Sequence, residues 1–130
     1  ELTILYGLDH AETLAVVFPA LLTILKEQKK EKLAQYAERV WHIQDGNTDQ
    51  KADKAIEKTV TFFRQMGLRT RMSEYGIPAE AADITALIAW WKNNSFTKAA
   101  IAGDDTKTAF KLGVENVDAE MARAIFAQSL

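Results

Sequence analysis

Chemistry in this chain has few side chains to draw on. There are 130 residues, two histidines, His10 and His42, and no cysteine. Thiolate metal sites, disulfides and a cysteine nucleophile are therefore excluded. His10 sits in "GLDHAETLAVVFPALL", directly after Asp9 and at the head of an almost wholly apolar run. Asp9 with Glu12 three residues on reads as a capping-box D-x-x-E, which places His10 at the first helical position. The positive end of the helix dipole disfavours an imidazolium there, and a neutral imidazole is the form that ligates a metal. Against this, a ligand needs partners, and none lies nearby in sequence. Read from the residues alone, a histidine packed at a helix start and bonded to backbone or water is the stronger alternative. Asp9 could orient an imidazole as an outer carboxylate, but an N-cap accounts for it more simply. His42, in "ERVWHIQDG", falls near a helix C-terminus, where the charged form is favoured. It reads as a surface histidine.

Other candidates are weaker. Asp53, Lys54 and Glu57 form a charged helix face with i, i+4 character. Arg69 and Arg71 flank Thr70 at a spacing too common to mark a phosphate site. Trp41, Phe62, Phe63, Trp90 and Trp91 read as core or interface aromatics. No G-x-G-x-x-G, Walker, G-x-S-x-G or H-E-x-x-H pattern occurs.

The elements that must position these residues are helical nearly throughout. Ala11 to Leu25 is apolar on most faces, the mark of a central helix, and Pro19 is expected to kink it. "KEQKKEK" reads as a charged connection. Leu33, Tyr36, Ala37, Val40 and Trp41 then recur at helical spacing, and "DGNTD" is the clearest turn. A third helix is expected from Asp49 to Met66, with Ala52, Ile56, Val60, Phe63 and Met66 inward and Gly67 closing it. "LRTRMSEYGIP" is a connection with room for one helical turn before Gly76. Pro78 suits the first turn of a fourth helix reaching about Lys92. Residues 93–117 read as loop plus a short helical piece, and Asp118 is expected to cap a last helix carrying Met121, Ile125 and Phe126.

Composition agrees with one globular helical domain. Hydrophobic residues make up 48% and charged residues 26%, and the net charge is −2. Without a basic face, neither nucleic acid nor a membrane surface is an expected partner. The apolar run is too short to span a bilayer.

Longer stretches add a resemblance. "ELT" followed by "GLDHAETLAVVFPALL", then "KLAQYAERVWHI", "FFRQMGLRTRMSEYGI" and "LGVENVDAEMARAIF" are similar, in order, to the C-terminal helical domain of the iron-dependent (group III) alcohol dehydrogenases, in the branch of butanol dehydrogenases and NADPH-dependent aldehyde reductases. The resemblance implies an all-α bundle of about five to seven helices, the C-terminal domain of the dehydroquinate synthase-like fold. It implies a divalent metal, iron or in some members zinc, that polarises an aldehyde carbonyl while NAD(P)H delivers hydride. It makes His10, in "GLDHA", the match to the last of three histidine ligands. The remaining ligands and the nucleotide-binding domain fall upstream of Glu1 in the family. On this reading residues 1–130 are a partial metal-binding domain, a fragment with no catalytic or cofactor-binding residue of its own and no metal or NAD(P) bound.

Small aldehydes and alcohols are the expected substrates of the full-length enzyme, and the cytoplasm its expected compartment. A different class of reading is a helical association module, a homodimer with Trp90, Trp91 and Phe96 at the contact. One departure from the family is noted: "KAAIAGDDTKTAF" looks longer than the relatives' loop before the last helix.

Overall fold

The computed structural model describes residues 2–85, 109–112 and 115–130. Five α-helices lie among them: α1 (Leu2–Tyr6), α2 (His10–Ile24), α3 (Lys26–Val40), α4 (Thr48–Gln65) and α5 (Ala119–Gln128). Two short 3₁₀ turns, Met72–Tyr75 and Ala79–Ala82, follow α4. Among the described residues the fold is all-α apart from one small antiparallel hairpin, β1 (Ala109–Leu112) with β2 (Glu115–Asp118), in which Ala109 opposes Asp118.

Helix α2 is the centre. Its buried face carries Ala15, Val16, Pro19 and Ala20. One core forms where Ala20 meets Ile84, Ala122 and Ile125, with Leu21 and Ile24 packed alongside. A second joins Val16 to Leu2, Leu8, Met72 and Ile77. Met72 is fully buried, so the first 3₁₀ turn is an anchor for the N-terminal segment rather than a plain connection. The C-terminal end of the chain straps this turn in place: the Met72 N–H donates to the Ser129 carbonyl at 2.8 Å and the Ser73 hydroxyl to a Leu130 backbone oxygen at 2.6 Å.

The charged run "KEQKKEK" is not a connection. Only Leu25 separates α2 from α3, and the Lys29 N–H already bonds the Leu25 carbonyl at 2.9 Å. Lys, Glu and Gln are good helix formers, and the solvated face of a helix can be charged from its first turn. Lys26 also reaches α4, with Nζ 2.6 Å from an Asp53 carboxylate oxygen. That hydrogen bond raises the Lys26 pKa.

Small side chains set the approach of α3 and α4: Ala34 and Ala37 from one helix, Ala52 and Ala55 from the other, are buried together with Leu33. The Tyr36 hydroxyl and Thr59 Oγ1 lie 3.0 Å apart, and Lys51 pairs with Glu38 at 2.5 Å.

Helix ends follow local chemistry. Asn47 and Gln50 form a complete capping box, with the Gln50 N–H on Asn47 Oδ1 at 2.9 Å and the Asn47 N–H on Gln50 Oε1 at 3.0 Å. The helix therefore opens at Thr48, one residue before the sequence reading placed it. Its other end is the expected glycine stop: Gly67 has φ +83°, the Leu68 N–H bonds the Phe63 carbonyl and the Gly67 N–H that of Arg64, each at 3.0 Å. Two residues expected inside, Val40 and Met66, are exposed. Both stand in the last turn of the periodic run, where no helix among the described residues covers them.

The 3₁₀ turn before Gly76 is as expected. The fourth helix was placed from Pro78 to about Lys92. Ala79–Ala82 is instead a 3₁₀ turn, and residues 86–108 lie outside the described residues. The helical piece expected within 93–117 is corrected where it can be seen: residues 109–112 and 115–118 are strands. Helix α5 begins directly after Asp118.

Candidate functional site

His10 is the first residue of α2, as the D-x-x-E spacing required. Three contacts hold it there. The Glu12 carboxylate accepts the Asp9 N–H at 2.8 Å, the glutamate half of the capping box. The Thr13 N–H closes the first turn on the Asp9 carbonyl at 2.9 Å. Leu8, just upstream, is buried in the core with Leu2, Val16 and Met72. Between α1 and Leu8 the chain turns at Gly7, whose φ of +71° suits glycine, and the Gly7 N–H bonds the Thr3 carbonyl at 3.0 Å. The backbone at His10 is thus fixed on both sides while its side chain stays exposed.

Large apolar side chains continue along the helix from His10. Leu14 and Phe18 follow at i+4 and i+8, on the same face of α2. Leu14 is 44% exposed and Phe18 36%, and on neighbouring α1 Ile4 is 80% and Leu5 55% exposed. A histidine therefore heads a stripe of large hydrophobic side chains open to solvent, an arrangement that marks a contact face. It has the composition of a cleft wall: an oily surface with one nitrogen donor at its edge.

A metal's full set of donors is not gathered here. Among the described residues no three His, Cys, Asp or Glu side chains come together as a metal site. Asp9 stands at the N-cap position as expected, although its side chain makes no capping hydrogen bond, and Glu12 is committed to the Asp9 N–H. His10 fits a metal as one monodentate imidazole ligand and no more.

His42 is exposed just past the C-cap of α3, in the left-handed region at φ +54°. It reverses the chain so that the Ile43 N–H can reach the Ala37 carbonyl at 3.0 Å, a structural role. Beside it, Trp41 packs edge-on to Tyr36, with centroids 5.8 Å apart, and tilted against Phe62 at 6.2 Å. Its indole N–H is buried with no hydrogen-bond partner among the described residues. Trp90, Trp91 and Phe96 lie outside the described residues.

The Arg69–Arg71 loop proves to be built around Glu74. One Glu74 carboxylate oxygen accepts the backbone N–H groups of Thr70 and Arg71, each at 3.0 Å, a pattern the sequence reading missed although R-x-x-E before a short turn encodes it. Arg69 lies over the Tyr75 ring, 5.2 Å from its centroid. Burial raises the Tyr75 pKa, against the hydrogen bond that the Arg69 backbone N–H donates to its hydroxyl oxygen at 3.2 Å.

The chain is similar to several known proteins. Residues 1–108 match the Fe-containing alcohol dehydrogenase family, C-terminal. The chain is 45% identical over 98 residues to the NADPH-dependent aldehyde reductase YqhD of Escherichia coli (strain K12), covering 75% of this chain and 25% of that protein. It is 41% identical over 76 residues to NADP-dependent alcohol dehydrogenase 3 of Entamoeba histolytica, covering 58% of this chain and 19% of that protein. The crystal structure of E. coli K-12 YqhD superposes with a TM-score of 0.77 at 33% identity, over 99% of this chain and 30% of that one. The chain thus spans about a quarter of the length of the aldehyde reductase it matches.

Proposed function

Since the chain belongs to the Fe-containing alcohol dehydrogenase family, by its C-terminal helical part, we propose that it forms the helical wall of a metal-dependent oxidoreductase that interconverts aldehydes and alcohols with NAD(P)H. The observation that carries this reading is the exposed His10 on a fixed backbone at the head of the Leu14–Phe18 stripe. His10 would be one ligand of a divalent metal, iron or zinc, which when bound supplies a Lewis acid for the carbonyl. The chain's own contributions are structural. The Glu12–Asp9 contact and buried Leu8 fix the backbone from which the imidazole projects, while Leu14 and Phe18 line an apolar face able to exclude water and receive an aliphatic body. The printed names of the relatives, an NADPH-dependent aldehyde reductase and an NADP-dependent alcohol dehydrogenase, support the substrate class and favour NADP.

The 130 residues by themselves carry no turnover on this reading. A catalytic metal needs about three protein ligands, and the described residues gather no such set. An assay of the chain with iron or zinc, NADPH and butanal should show no NADPH consumption above the metal-only control; turnover would overturn this.

A second reading, self-association, is favoured by the same apolar stripe. Sedimentation at several concentrations should show a concentration-dependent dimer if the stripe pairs with its own copy, and a strict monomer excludes that. No helix among the described residues is long and apolar enough to cross a membrane.

A further inference from the structure

We propose that the cleft between α2, α4 and the Thr70–Arg71 loop binds a small organic carboxylate with an aliphatic body. The cleft holds about 310 Å³, within the size range of small-molecule sites. Its floor is apolar: Val16, Pro19 and Ala20 from α2, all buried, with Ile56 and Val60 from α4. Its rim is polar, with Arg64, Thr70, Arg71 and Gln128, and among the described residues no carboxylate lines it.

The rim is set up for an anion. Glu74, the nearby acid, spends one oxygen on two backbone N–H groups of the loop, and its other oxygen stands 3.9 Å from Arg64. Arg64 Nε donates to the Thr70 hydroxyl at 3.1 Å, which orients the guanidinium toward the rim. Thr70 is only 7% exposed, and among the described residues its hydroxyl hydrogen has no acceptor. The Arg71 guanidinium pairs with no carboxylate among the described residues. A planar guanidinium fork matches a carboxylate, and the apolar floor rewards a ligand that brings hydrocarbon with its charge. An inorganic anion would leave that floor wet, and a neutral alcohol would leave Arg71 unpaired. This inference does not rest on the catalytic reading.

The test is titration of the chain with hexanoate, hexanol and acetate, followed by backbone amide shifts in solution NMR. Saturable hexanoate shifts at Val60, Thr70, Arg71 and Gln128 are expected, with hexanol and acetate at least about ten-fold weaker because each supplies half of the recognition. Arg71→Gln, on an exposed side chain, should keep the amide spectrum and lower hexanoate affinity about ten-fold, the size of one lost charge-assisted bond. Non-saturating shifts, or equal affinity in Arg71→Gln, would overturn the proposal. So would hexanol binding as tightly as hexanoate.

Discussion

The α3–α4 pair and the α1–α2 segment use the same kinds of residue to opposite ends. The pair is closed on itself. Alanines bring the helices together, Tyr36 meets Thr59, and Lys26 and Lys51 tie across to Asp53 and Glu38. Its exposed apolar side chains, Val40, Phe62 and Met66, lie toward the helix ends. In the α1–α2 segment, Leu2, Leu8 and Val16 are buried while Ile4, Leu5, Leu14 and Phe18 stand out in solvent. One region stabilises the fold. The other fixes a backbone while leaving an apolar face presented to solvent.

The contrast is testable, beginning with the anchor. Met72→Ala should cost about 3 kcal/mol, the range for emptying a fully buried site, measured by urea denaturation. The loss should appear as early amide exchange in α1 and around Leu8, before α3 and α4 open. Simultaneous loss in both regions would erase the distinction. Next, Asn47→Ala removes one half of the α4 capping box and should cost about 1 kcal/mol, read as a lower urea midpoint with an unchanged slope. No change would mean that tertiary packing alone starts α4.

The sequence exposed much of this. His10 at the first helical turn, Gly67 as the stop of α4, the one-sided patterns of α3 and α4 and the turn before Gly76 follow from caps, glycine geometry and period. Other features were hidden for physical reasons. "KEQKKEK" looked like a linker because a solvated first turn and a charged loop have the same composition; only the hydrogen bond to Leu25 separates them. Met72 gives no local sign of being fully buried, since its partners Leu2, Leu8 and Val16 are more than fifty residues away in the chain. The exposure of Leu14 and Phe18 was also illegible, because an all-round apolar helix does not say which face is left open. The hairpin at residues 109–118 escaped because its strands are too short to show an alternating pattern.

Two smaller effects refine the comparison. His42→Gly should stabilise the chain by about 0.5–1 kcal/mol, since a non-glycine residue bears strain at positive φ. A destabilised variant would mean that the imidazole itself makes a contact worth keeping. Ile4→Ser, on the presented face, should change stability by less than about 0.5 kcal/mol while reducing any self-association seen by sedimentation. A large stability loss would move Ile4 into the core and end the argument for an open face.

The central claim is that His10 is a metal ligand held by its helix cap, and metal content measures it most directly. The segment of E. coli YqhD that matches this chain is replaced by this chain's residues, and the purified chimera is compared with its His10→Ala variant by elemental analysis. The account predicts about one metal ion per chain in the chimera and a loss of at least ten-fold in metal affinity in the variant, with circular dichroism unchanged. A His10→Ala chimera that retains its metal at full occupancy and affinity would contradict it.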